Sequence, residues 1–143
     1  MQLPKPIREH LHGEFRFAVD RMAATPDLFG KLYFFSGLFG EVNRAMNQHW
    51  DAELGLIHFV LSKAHAEISV RISQPPPLGA DLSALPQELP EALTKAAREL
   101  TELFEGSEQD TAKIHEVLAR IAEVAYTATG NGYYLYLKGA IKL

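Results

Sequence analysis

Apolar residues recur along this chain at intervals of three and four, the spacing that lines them up on one face of an α-helix. The pattern is clearest over residues 51–73. At about 100° per residue, Leu54, Ile57, Leu61, Ala64, Ile68 and Ile72 share one face, and Asp51, His58, Ser62, His65 and Ser69 run beside it rather than opposite. Polar groups at the edge of a core need partners, either structural neighbours or a ligand.

The same periodicity predicts four more helices. The first runs from about Pro6 to Ala24, with Ile7, Leu11, Phe15, Ala18 and Met22 inward. Thr25-Pro26-Asp27 ends it and opens the second, with Thr25 as N-cap, Pro26 at the first helical position and Asp27 suited to the dipole. That second helix reaches about Gln48, and Asp51 caps the third. A fourth spans about Pro90 to Glu105 and stops at Gly106; a fifth, capped by Ser107 or its neighbours, reaches about Thr129.

Between the third and fourth helices, residues 74–90 hold five of the eight prolines, the composition of a stiff, extended crossover. After the Gly130-Asn131-Gly132 turn signal, residues 133–137 have β propensity. No second strand is available to pair with them, so the tail reads as a short sixth helix or a kinked continuation of the fifth. The expected fold is all-α: a single domain over 1–143, a compact bundle of five to six helices with a Pro-rich connector at about 74–90.

The second helix is apolar most of the way round. Leu28, Leu32, Phe35, Phe39, Val42 and Met46 form the expected core stripe, and Phe29, Tyr33, Phe34 and Leu38 add apolar surface on both flanks. Such a helix is either central in the bundle or covered by another subunit. Gly30 and Gly37 on the remaining side would admit a second backbone at close range. Tyr133, Tyr134 and Tyr136 in the tail are amphipathic aromatics of the kind interfaces favour. The expected interface is therefore Phe29, Tyr33, Phe34, Leu38, Tyr133 and Tyr134, and the expected partner a second copy of the chain.

Composition narrows the chemistry. At 143 residues, 47% hydrophobic and 22% charged, the chain has the make-up of a globular domain. Its net charge of −4 provides no basic field for a phosphate backbone, which argues against nucleic acid. With no cysteine there are no disulfides, thiolate metal sites or thiol nucleophiles, a composition compatible with a reducing cytoplasm, where the protein is expected to act. The N-terminus lacks the apolar run of a signal peptide. The longest strongly apolar run, nine residues from Leu32 to Gly40, falls far short of the about 20 a membrane span requires.

Candidate catalytic residues are His58, His65 and Asp51 on the third helix, and Arg44 and His49 at the end of the second. His58 and His65 share a face but stand seven residues apart, about 10.5 Å along the axis, too far to share one ion. Each would need ligands from other helices. His10 and Glu14 are the i,i+4 pair suited to chelation within one helix, so His10, Glu14, His58 and His65 are the metal candidates, with His49 and His115 in reserve. No cofactor is expected.

Arg44-Ala45-Met46-Asn47-Gln48-His49 has Arg-x4-His spacing, which resembles the short motif of the HEPN ribonucleases. That resemblance implies metal-independent RNA cleavage, with Arg44 stabilising a pentavalent phosphate and His49 transferring protons. Ala45 departs from the family pattern, which usually has a polar residue directly after the arginine. The remaining enzyme alternative is a metal-dependent hydrolase built from histidines that converge from separate helices. With no phosphate-binding loop or nucleophile elbow present, the sequence points first to an interaction or scaffolding module acting as a homodimer.

Overall fold

The computed structural model describes residues 2–73, 86–106 and 110–142. These residues form six α-helices and no strand: α1 (Lys5–Ala24), α2 (Leu28–Gln48), α3 (Ala52–Ser73), α4 (Leu89–Glu102), α5 (Thr111–Thr129) and α6 (Tyr133–Lys142). Most of the connector expected at 74–90, and Ser107 as a cap, lie outside the described residues.

Local signals account for most helix ends, differently from the expectation at the start of α2 and at the end of α4, which stops at Glu102 before Gly106. Asp27, not Thr25, caps α2, its carboxylate accepting from the Gly30 amide at 2.9 Å. The Thr25 hydroxyl instead donates back to the Arg21 carbonyl of α1, leaving Pro26 between the two helices. Asp51 caps α3 by accepting from the Glu53 and Leu54 amides. Asp110 does the same for α5 through Ala112. Gly130 ends α5 in the left-handed conformation, φ 70°, which glycine adopts without a side-chain penalty.

Neighbours close the first five helices into a ring ordered α1, α2, α3, α5, α4, and α6 lies along α5. The start of α1 meets the end of α4, where Arg8 donates to the Gly106 carbonyl and Phe15 packs edge-on against Phe104 at 5.3 Å. The start of α3 meets the start of α5 through the Thr111 hydroxyl on the Glu53 carboxylate. The core is one continuous cluster that includes Leu11, Phe15, Phe35, Leu61, Leu100 and Leu118. The tail is helical because Tyr134, Leu137 and Ile141 then share a buried face, which a lone strand cannot offer. A Lys138–Glu123 ion pair at 3.0 Å fastens it to α5. No helix among the described residues is long and apolar enough to cross a membrane.

One buried charge organises the α1–α2 turn. Lys31 is only 7% exposed, and its ammonium donates to the Met22 carbonyl at 2.7 Å in the last turn of α1. A cation is favourable at that negative helix end, where the same carbonyl also accepts the Thr25 amide of the C-cap at 3.2 Å. Lys31→Ala is expected to lower stability by about 1.5–3 kcal/mol, the usual worth of a hydrogen bond to a charged group. Urea unfolding checks this, and an unchanged midpoint would remove Lys31 from the account of the turn.

Candidate interaction surface

Two outward faces, one on α1 and one on α2, make the candidate surface. On α2, residues 29, 33, 37 and 40 point away from the core because Lys31, Leu32, Phe35, Leu38, Val42 and Ala45 occupy the buried stripe. Phe29 is 60% and Tyr33 73% exposed. On α1, the stripe of Leu11, Phe15, Ala18 and Met22 turns Gly13 and Phe17 outward, and Phe17 is 55% exposed beneath the Arg21 guanidinium. Between the helices runs an open groove of about 320 Å³ lined by Glu14, Phe17, Tyr33, Phe34, Gly37 and Glu41. Tyr33 and Phe34 meet edge to face at 5.2 Å on its wall.

The charged rim of the groove is partly paired. His10 reaches across from α1 to the Glu41 carboxylate at 3.1 Å, and Arg44 approaches the other oxygen of the same carboxylate at 3.5 Å. His10 therefore turns to α2 rather than to Glu14, its i,i+4 neighbour. Among the described residues, no three His, Asp or Glu side chains are grouped so as to hold a metal ion.

The two glycines singled out in α2 have different surroundings. A Cβ on Gly30 would collide with the Thr25 methyl and crowd the capping carboxylate of Asp27, so this glycine makes room for the turn. A Cβ on Gly37 or Gly40 would meet nothing within 4 Å. Those two positions leave the outer face of α2 low and flat between aromatic side chains.

The polar stripe of α3 finds its neighbours in the aromatic stripe of α2. The His65 ring lies parallel to Phe35 at 6.4 Å and meets Phe39 at 5.3 Å, and His58 stands edge-on to Phe39 at 6.1 Å. Burial lowers the His65 pKa, partly opposed by a hydrogen bond to the Leu32 backbone. The structure thus places both rings in the α2–α3 seam, and Asp51 at the helix end as a cap. Arg44 is exposed beside Glu41, whereas His49 is the half-buried residue that ends α2 in extended backbone.

Of the aromatic residues expected at an interface, Phe29, Tyr33 and the half-buried Phe34 lie at the α1–α2 surface. Leu38 and Tyr134 do not belong to any outer face, each being 1% exposed. Leu38 lies on the buried stripe with Lys31, Phe35, Val42 and Ala45, spaced by three and four along α2. Tyr134 is buried where α6 packs on the bundle, and its pKa is raised, first by burial and then by the Glu67 carboxylate. Tyr133 stacks against Lys63 of α3, 5.4 Å from ammonium to ring centre. Sequence reasoning missed Phe17 and Glu41, although Phe17 stands off the inward stripe of its helix and was legible as an outward aromatic.

No family model, curated protein or solved structure matches this chain.

The His65 environment has a pH consequence. A base whose folded pKa is lowered stays neutral where the unfolded chain already binds a proton. Its stabilising contribution is full above the unfolded value near 6.5 and declines as pH falls through the lowered folded value. His65→Leu is therefore expected to reduce the loss of stability between pH 7.5 and 5. Paired urea titrations at the two pH values read this directly, and equal acid losses in both proteins would contradict it.

Proposed function

We propose that this helical bundle is a cytoplasmic interaction module that acts as a homodimer through the outer face of α2. The observation that carries the reading is the exposure of Phe29, Tyr33 and Phe17 around a helix face left open at Gly37 and Gly40. Aromatic side chains bring large apolar area with few rotatable bonds, and they concentrate at the centres of interfaces. Glycine lets a second helix axis approach more closely than the about 8–10 Å of ordinary packing.

A two-fold axis suits this face. Antiparallel pairing of α2 with its copy about Gly37 sets Tyr33 beside Gly40 and Glu41 of the second copy, and Phe29 beside Arg44 of the second copy. The Tyr33 hydroxyl then has a carboxylate to donate to, and the guanidinium an aromatic face to lie on. Every contact occurs twice, as an isologous interface requires.

Light scattering coupled to size exclusion tests the proposal over a range of concentrations. The native chain is expected to run as a dimer that dissociates on dilution. Gly37→Leu and Tyr33→Glu are each expected to give monomers with unchanged helical circular dichroism, because neither side chain contributes to the core. A native monomer at all concentrations, or a dimer that tolerates Gly37→Leu, would rule the α2 face out.

A further inference from the structure

A second concave site lies on another part of the bundle, between the α1–α2 turn and the first turns of α4. It is an open pocket of about 390 Å³ lined by Ala23, Lys31, Glu91, Thr94, Lys95 and Arg98. The α4 residues 91, 94, 95 and 98 are spaced by three and four, so they form one stripe of that helix facing the turn. Three cations and one carboxylate line the pocket, a local charge of 3 − 1 = +2 in a chain whose net charge is −4.

Among the described residues, some cations elsewhere are paired with carboxylates and others, such as Arg16 and Lys113, are not. Arg120 pairs with Glu99 and Glu116, Lys138 with Glu123, and Lys63 with Glu67. Among the described residues no ion pair reaches Lys31, Lys95 or Arg98. Lys31 is the telling member. It is more than nine-tenths buried, and its ammonium gives one of its three donors to the Met22 carbonyl. No further hydrogen bond or ion pair to the described residues uses its other two donors.

We infer that Lys31, Lys95 and Arg98 form a binding site for a small phosphate-bearing anion. Lys31 supplies a fixed charge at the base of the pocket, pre-positioned by its bond to α1. Arg98 offers a planar fork that takes two oxygens of a phosphate at once, and Lys95 adds a mobile cation at the rim. The pocket is larger than a bare ion, and Ala23 with the Thr94 methyl leaves an apolar side for a short organic group.

The test is an NMR titration of the isotope-labelled protein with inorganic phosphate, with sodium chloride at matched ionic strength as reference. A second arm uses glycerol 3-phosphate. The expected result is saturable shifts at the amides of Lys31, Thr94, Lys95 and Arg98 that chloride does not reproduce. Tighter binding in the second arm identifies a phosphate ester as the natural class, and equal or weaker binding identifies free phosphate. Arg98→Ala is expected to weaken binding by roughly tenfold or more, as loss of a charge-assisted pair does, whereas Arg16→Ala, an exposed cation on α1, leaves it unchanged. Because Lys31→Met disturbs the α1–α2 turn, the deciding variant is Arg98→Ala, whose native side chain is exposed. Shifts that fail to saturate in both arms, or that persist undiminished in Arg98→Ala, would overturn the assignment.

Discussion

Helix α2 carries more apolar surface than one bundle can cover, and the rest of the structure is arranged around that excess. Its inner face meets α1, α3 and α4 and supplies Leu32, Phe35, Leu38 and Val42 to the core. The flank toward α3 takes Phe39 against the two imidazoles. What remains, Phe29 and Tyr33 with the groove wall of Phe34, stays in contact with water. Exposed aromatics scattered singly need no explanation, but a cluster around an open helix face is the form that binding surfaces take. The fold and the proposed homodimer are thus two consequences of one feature: a helix with a core on one side and a second apolar face on the other.

Three polar side chains near the core sit at helix junctions. Lys31 joins the Thr25 amide on the Met22 carbonyl at the end of α1. His65 stays neutral between phenyl rings and bonds to backbone. Tyr134 anchors the last helix beside Glu67. None of these needs a long-range charge network, and each fastens a junction where packing alone would leave a helix end or a short helix weakly held. The α1–α2 turn shows how tightly such devices interlock. Asp27 caps α2, Thr25 closes α1, Gly30 leaves them room, and Lys31 ties the two helices together.

The architecture was legible because helical periodicity is a local signal, strong wherever apolar residues recur at three and four. Of the inward stripe read for α3, Leu54 to Ile68 are buried with Val60 beside them and Ile72 is half-buried, and the tail is helical, with no strand among the described residues. Side-chain partners across helices were less legible. Asp51 was legible as the cap of α3, whereas nothing in the sequence set His58 against Phe39 of α2. Leu38 sat on the flank of the stripe read from Leu28 to Met46, whereas the buried stripe runs through Lys31, Phe35, Leu38, Val42 and Ala45. His10 and Glu14 satisfied the spacing rule for a pair, but Glu41 on the neighbouring helix took the imidazole. Spacing along one helix ranks candidates, and the neighbouring helix decides between them.

The complete lack of cysteine allows the central claim to be tested at a single point. Gly37→Cys places the only thiol of the chain at the proposed two-fold axis, where two copies of the same residue come within the about 4.4–6.8 Å between α-carbons that a disulfide spans. Mild oxidation is expected to convert this variant rapidly into a covalent dimer, while Glu116→Cys, an exposed position on α5, stays largely monomeric under the same conditions. Cross-linking at Glu116 that matches or exceeds that at Gly37 would contradict pairing through α2.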